Sequence, residues 1–238
     1  MYDKYSLSVI MPVYNESRAL ERAVGEIASF LKANFNDYEI VIIESGSTDG
    51  SAEICDRLAG AIPNIKLIHE QSRNGFGAAL RAGYMSATKD LLWLVTADLP
   101  FALEAVFKAL PLFSKYDCVL SYRSGDNRKL RKKIQSLVYN TMVKNILGLK
   151  VRHVNSAFKV FKKEVIRDMP LISKGWLIES EIIYRLKIKG ISYPEIPVEL
   201  IDRTVGTSSI NFFTVFSMLR EFAYFLRNKD LRGYKDEA

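Results

Sequence analysis

Apolar positions in the first half of the chain come in short, mostly β-branched runs, each cut off by a polar turn and followed by a stretch with helical spacing. Ser6–Met11, Tyr38–Ile43, Ile65–His69, Leu91–Val95 and Cys118–Ser121 read as strands. Between the first two, Leu20, Val24, Ile27 and Leu31 recur at helical spacing, predicting a helix to about Ala33 with Ser17 placed to cap it. Gly50–Leu58, Gly75–Thr88 and a segment around Leu103–Phe113 fill the later connections as helices. Such strand–helix alternation predicts a parallel sheet with right-handed crossovers. Ligands of these sheets gather beyond the carboxyl ends of the strands, so the turns there are the places to look for chemistry.

After Ser121 the pattern changes. The stretch from Arg123 to Arg152 carries Arg123, Arg128, Lys129, Arg131, Lys132, Lys133, Lys144, Lys150 and Arg152 against Asp126 alone. Leu130, Ile134, Leu137, Met142 and Ile146 lay an apolar stripe along it, which predicts a basic amphipathic helix. Ala157–Phe161 and Tyr193–Leu200 read as further strands, with a helix over Glu179–Lys187 between them. Phe212, Val215, Phe216, Leu219, Phe222 and Leu226 form an aromatic helical face near Arg220 and Arg227. That face suits a membrane surface, but core or dimer packing is the commoner role of such a stripe and is the expectation. The chain has no internal repeat and no low-complexity linker.

With 238 residues and 48% hydrophobic content, one α/β core is sufficient, and a single domain over 1–238 is expected. The net charge of +7 favours an anionic partner: a sugar nucleotide, a lipid phosphate, an anionic membrane or a nucleic acid. Nucleic acid is the weakest of these, because the basic segment lacks interleaved aromatics and any recognised binding module. Cys55 and Cys118 stand far apart without metal-ligand spacing, as expected of reduced core residues in a cytosolic protein. Met1-Tyr2-Asp3-Lys4 leads into a strand rather than a signal peptide, and no apolar run approaches the roughly 20 residues that span a bilayer. The expectation is a cytoplasmic protein whose membrane contact is peripheral.

Three turns concentrate the chemistry: Pro12-Val13-Tyr14-Asn15-Glu16, Glu44-Ser45-Gly46-Ser47-Thr48-Asp49-Gly50 and Thr96-Ala97-Asp98-Leu99-Pro100. Their order and spacing resemble the family 2 glycosyltransferases of GT-A fold, especially the dolichyl-phosphate mannosyltransferase and polyprenyl-phosphate glycosyltransferase branch. The resemblance runs from about Tyr5 to Ile210. It implies an α/β fold with a mostly parallel central sheet flanked by helices. Within it a donor half covers about 5–121, an acceptor half about 122–210, and a C-terminal amphipathic helix about 211–228.

For the nucleotide-sugar donor, the resemblance assigns Pro12, Tyr14, Glu16, Glu44, Gly46, Ser47, Asp49, Asn74, Gly75, Ala97 and Asp98. Glu44 stands where an Asp is common, and Ser45 replaces a second Asp. Asp49 is equally well placed to cap a helix. Arg73-Asn74-Gly75-Phe76-Gly77 follows a strand and opens a helix whose N–H groups suit an anion. As a dinucleotide fingerprint it is weak, since Leu80 holds the third glycine position. Where the family writes Asp-x-Asp, this chain writes Thr96-Ala97-Asp98. Asp98 is therefore the implied metal ligand for Mg²⁺ or Mn²⁺, or else a structural Asp at a strand end.

On the acceptor side the matching residues are Ser121-Tyr122-Arg123, Arg131, His153 to Lys159, and Asp202-Arg203-Thr204-Val205-Gly206-Thr207-Ser208. His153 occupies the usual Asp, and Ser209 a position where Lys often follows. Arg123, Arg131, Arg203 and Ser208 are the implied acceptor-phosphate residues, since guanidinium groups match phosphate in bidentate fashion. Asp98, Arg203 and His153 are the candidates for catalysis, His153 as a base, a weak metal ligand or merely a polar surface residue. Glu179 faces the sugar by the same analogy, and His69 reads as a strand end without chemistry. A sugar hydroxyl acceptor needs a general base, whereas a lipid phosphate is already anionic and needs positioning. The implied activity is inverting hexosyl transfer from a nucleotide-sugar to a polyprenyl or dolichyl phosphate. The rival is an inactive binding or scaffold relative, motivated by the joint departures at Ser45, Thr96, His153 and Ser209.

Overall fold

The protein is described here from a computed structural model that covers residues 4–125, 130–201 and 212–228. Strands β1 (Leu7–Val13), β2 (Tyr38–Glu44), β3 (Ile65–His69), β4 (Leu91–Leu94), β5 (Cys118–Ser124), β6 (Lys159–Lys162) and β7 (Glu195–Glu199) form one seven-stranded sheet in the order β3-β2-β1-β4-β6-β5-β7. β1 pairs in parallel with β2 and β4, β2 with β3, and β5 with β7, while β6 runs antiparallel to both β4 and β5. Only β6 opposes the others, so the sheet is mostly parallel, as expected, with a single reversed strand near its middle.

That reversal places the site. The carboxyl ends of β1, β2, β4, β5 and β7 share one rim, and the amino end of β6 at Lys159 lies on the same rim. The turns after the parallel strands and the loop that enters β6 therefore converge.

Both faces of the sheet are covered, which explains the near-continuous apolar runs. Val9, Met11, Ile40 and Ile42 point to one side, where they meet Leu20, Val24, Ile27 and Leu31 of α1 (Ser17–Asn34) together with Trp93, Phe101 and Phe158. Ile10, Val41 and Ile43 point to the other. There they pack with Leu80 and Tyr84 of α3 (Phe76–Ser86), Ile182 and Leu186 of α7 (Ile178–Ile188) and Phe225 of α8 (Phe212–Asn228). Cys55 and Cys118 are buried free thiols, and burial raises each to a pKa of about 12.

Several local expectations are revised. The segment around Leu103–Phe113 is a short helix, α4 (Ala105–Ala109), followed by a 3₁₀ turn over Leu110–Ser114 that carries Pro111 near its start, where the missing N–H costs nothing. The N-cap position of α1 is Glu16 rather than Ser17, and it makes no side-chain cap of its own. The basic helix is α5 (Leu130–Leu147), shorter than the charged segment. Most of its apolar stripe does not turn inward: Leu130 and Leu137 are 72% and 66% exposed, Ile134 and Ile146 are also exposed, and Met142 alone of the five packs partly against the core. Val143 and Leu147, one helical face further round, make the core contact instead. The remaining helices are α2 (Ser51–Ala61) and α6 (Lys163–Arg167).

Candidate functional site

The turns after β1 and β2 are laced together. Asn15 donates its N–H to the Ser47 hydroxyl at 3.0 Å and accepts from the Thr48 N–H at 2.9 Å, at a backbone φ of 55° that few side chains adopt. Glu16 donates its N–H to Ser51 Oγ at 2.9 Å. Asp49 accepts from the Ser17 N–H at 3.0 Å and from the Ser51 N–H and hydroxyl at 3.1 and 2.6 Å. Asp49 thus caps both α1 and α2. Burial opposes its charge, but these donors outweigh that and hold its carboxyl below the usual range.

Glu44 sits beneath this turn, only 3% exposed. One carboxylate oxygen accepts the Ser47 N–H at 2.6 Å, and the other meets His69 Nδ1 at 3.1 Å. Burial alone would raise its pKa, yet the Ser47 and Gly46 amides, the Ser47 hydroxyl and His69 together lower it. Glu44 therefore organises the turn from below. Above the turn, the Arg73 guanidinium lies 4.0 Å from the Tyr14 ring centre. Pro12, next to last in β1, is half-buried.

Asp98 stands at the carboxyl end of β4. Its carboxylate accepts a 2.5 Å hydrogen bond from Thr96, the residue in place of a second acid. Leu99 follows at φ 43°, a left-handed conformation that costs a bulky residue about 1–2 kcal/mol. The two non-glycine residues with positive φ among the described residues, Asn15 and Leu99, both lie on this rim. Since β1 alone separates β2 from β4, the strand ends that lead to the Glu44 turn and to Asp98 are two strand spacings apart, roughly 10 Å. Ala97, the residue before Asp98, is buried in the core. Among the described residues no cluster of three or more His, Cys, Asp or Glu is preformed for a metal. A partly exposed single carboxylate still fits Mg²⁺ or Mn²⁺ of the kind that draws its other ligands from phosphate and water.

The opening of α3 is arranged differently from the sequence expectation. The Gly77 and Ala78 N–H groups donate to the Lys174 carbonyl at 2.8 and 3.1 Å, so the loop before α7 takes the donors that an anion would use. A Cβ at Gly77 would meet the Ser173 and Gly175 carbonyl oxygens at 2.7 and 2.8 Å, which accounts for that glycine by close approach of backbone. Trp176 stacks on Phe76 with ring centres 4.5 Å apart, and Glu221 of α8 accepts the Gly175 N–H at 2.5 Å. Asn74 is exposed beside this junction, and Gly75 lies within it at φ 102°.

Across β6 lies a small polar cavity of about 10 Å³, lined by Ser121, Arg123, Ser136, Asn140, His153 and Ser156 among others. Arg123 and His153 are thereby brought together. The Arg123 N–H donates to His153 Nδ1 at 3.3 Å, which puts the ring proton of the neutral imidazole on Nε2. Asn140 of α5 holds the loop by accepting the Val154 N–H at 2.7 Å. Below it, the buried Lys159 ammonium pairs with Glu179 and donates to the Ser156 carbonyl at 2.6 Å. Glu179 is thus committed to an internal ion pair. Glu181 binds Arg185 and the Ile172 and Ser173 N–H groups. Arg131 lies on α5 but its side chain is outside the described residues, as are Arg203 and Ser208.

The model of the family described as Glycosyl transferase family 2 matches residues 8–169. The chain belongs to this family. Among its relatives is a polyprenol monophosphomannose synthase of Mycolicibacterium smegmatis, 26% identical over 97% of this chain and 89% of that protein. Glycosyltransferase AglD of Haloferax volcanii is 29% identical over 81% of the chain and 32% of its own length. The dolichyl-phosphate beta-glucosyltransferase ALG5A of Trichomonas vaginalis is 26% identical, with 81% and 65% covered. In structure the chain is similar to glucosyl-3-phosphoglycerate synthase from Mycobacterium tuberculosis, solved with Mn²⁺, uridine diphosphate and phosphoglyceric acid. The TM-score is 0.71 at 19% identity, over 98% of this chain and 81% of that one, which establishes the shared GT-A fold.

Sequence reasoning missed Ser136 and Asn140 as cavity residues, and His69 and Asp56 as partners of the Glu44 turn. Ser136 and Asn140 are four apart on α5 and so share a face, a signal present in the sequence.

Proposed function

We propose that this family 2 protein transfers a hexose from a nucleotide-sugar to a polyprenyl phosphate with inversion. The observation that carries the reading is the shared rim: Asp98 after β4, the Glu44 turn after β2 and the Arg123–His153 cavity at the entrance to β6 lie side by side. The names of the relatives that act on polyprenol and dolichyl phosphate support it.

In this account Tyr14 and the turn over 44–49 receive the nucleoside, and Asp98 faces the diphosphate. A divalent ion bound at Asp98 would stabilise charge on the diphosphate as it departs. Arg123 of the cavity, with Arg131, Arg203 and Ser208, pairs with the acceptor phosphate and balances its charge. A phosphate oxygen attacks the anomeric carbon, and the bond from that carbon to the nucleoside diphosphate breaks with its electron pair on the leaving group. No proton need be removed from the nucleophile. This suits a site where His153 already spends Nδ1 on the Arg123 amide.

Membrane contact belongs to the same proposal. No described helix is long and apolar enough to cross a membrane. The exposed Leu130, Ile134, Leu137 and Val138 lie on the helix that lends Ser136 and Asn140 to the acceptor cavity. With Lys133 alongside, this face suits an anionic cytoplasmic membrane surface that delivers the lipid phosphate to Arg123.

Calorimetry with UDP-glucose and GDP-mannose, with and without Mn²⁺, tests the donor half. One of the two is expected to bind more tightly with the ion, and Asp98→Ala to remove that gain. No binding of either would defeat the proposal.

A further inference from the structure

We infer that His69 is a positioning residue of the donor pocket: protonated, it clamps Glu44 against Asp56 and so holds the turn over 44–49 in its binding shape. The inference rests on the donor reading above and extends it to a residue that contacts no substrate.

The geometry is two-sided. His69 Nδ1 is 3.1 Å from Glu44 Oε2, and Nε2 is 3.0 Å from Asp56 Oδ1 of α2. A ring that meets a carboxylate through each nitrogen needs a proton on both, so this arrangement selects the imidazolium. The groups facing it are Glu44 from β2 and Asp56 from α2; Glu70, the residue just after β3, is bonded instead to the Ser45 hydroxyl at 2.7 Å. Both facing groups are anionic. The bonds to Asp56 and then Glu44 raise the His69 pKa above its ordinary 6.5, outweighing its partial desolvation.

The consequence passes through Glu44. Its other oxygen accepts the Ser47 N–H, and Ser47 in turn accepts from Asn15, so one carboxylate bridges the imidazolium and both donor-side turns. Loss of the His69 proton leaves one of its two nitrogens without a hydrogen. One carboxylate, either Glu44 or Asp56, then faces a lone pair. The sign follows: the raised pKa makes the clamp complete below 6.5, and it is lost as pH rises through the higher folded value. Donor affinity therefore falls on the alkaline side.

The test uses UDP-glucose and GDP-mannose, whose diphosphates do not titrate near neutrality, with the full chain and Mn²⁺ between pH 5.5 and 8.5. For the donor that binds, affinity should weaken about fivefold across the His69 titration. His69→Gln should remove that pH dependence and bind throughout like the wild type at high pH. His153, the other histidine, is unchanged in the comparison and cancels. In parallel, the His69 ring signal in the free protein should titrate above 6.5 by proton NMR. A bound donor with the same pH slope in His69→Gln overturns the clamp and leaves the donor reading intact. A ring that titrates at or below 6.5 also overturns it, without any ligand. Failure of either donor to bind at any pH overturns both together.

Discussion

Replacing Lys159 by Met should unfold this protein more readily than almost any other single change near the site. Lys159 opens β6, a central strand of the sheet, and is fully buried. Its ammonium pairs with the equally buried Glu179 and donates to the Ser156 carbonyl. Removing it leaves a carboxylate inside the protein without its counter-charge, at about 3–5 kcal/mol. The orphaned Ser156 carbonyl adds about 1 kcal/mol. At about 2–4 °C per kcal/mol for a domain of this size, melting should fall by roughly 8–24 °C. The double variant Lys159→Met/Glu179→Leu removes both charges and should recover most of the loss, because an apolar pair of similar volume is close to neutral in such a place. Urea unfolding followed by tryptophan fluorescence and by circular dichroism measures both, and coincident curves license the two-state treatment. A single variant within 1 kcal/mol of wild type, or a double variant as unstable as the single, would refute this view of the pair. The double variant should still lose transfer activity, since Ser156 and the loop entering β6 no longer have their anchor.

Other consequences are simpler to check. Asp49→Ala removes acceptors at two helix starts and should cost about 1–2 kcal/mol in thermal unfolding, with Asp49→Asn intermediate; an unchanged melting temperature would contradict the capping role. Glu44, Glu39 and Asp49 all have lowered pKa values. Their contribution is therefore present above the ordinary 4.5 and 3.8 and disappears as pH falls through the lower folded values. Melting temperature should drop steeply below pH 4, less so in Glu44→Gln, and a flat profile would count against it. Leu130→Ser/Leu137→Ser alters exposed positions, so stability should hold within about 0.5 kcal/mol while flotation with anionic vesicles declines. Equal flotation would remove α5 as the membrane face.

Most of the sheet was legible because its strands are buried on both faces and bounded by strong turns. Ile40–Ile43 before Glu44-Ser45-Gly46 leaves little choice of element. The direction of β6 was not legible, since four residues of sequence carry no mark of which way they pair. Yet that one reversal brings the loop carrying His153 onto the rim of Asp98 and the Glu44 turn, beside Arg123 at the end of β5. Asp49 shows the limit of motif reading: cap and ligand demand the same residue, and only the distances to Ser17 and Ser51 reveal the cap. His69 was passed over because its partners Asp56 and Glu44 are 13 and 25 positions away. The stripe on α5 has helical spacing whether it faces a core or solvent, so periodicity located the helix without telling which side it buries.

The central claim is most directly tested by incubating the protein with radiolabelled UDP-glucose or GDP-mannose, Mn²⁺ and polyprenyl phosphate in vesicles, then counting label in the lipid extract. The account predicts transfer from one of these donors to the lipid phosphate, with none to the corresponding polyprenol, and loss of transfer in Asp98→Ala and Arg123→Ala. Label that appears on polyprenol as readily as on its phosphate, or transfer undiminished in both variants, would contradict it.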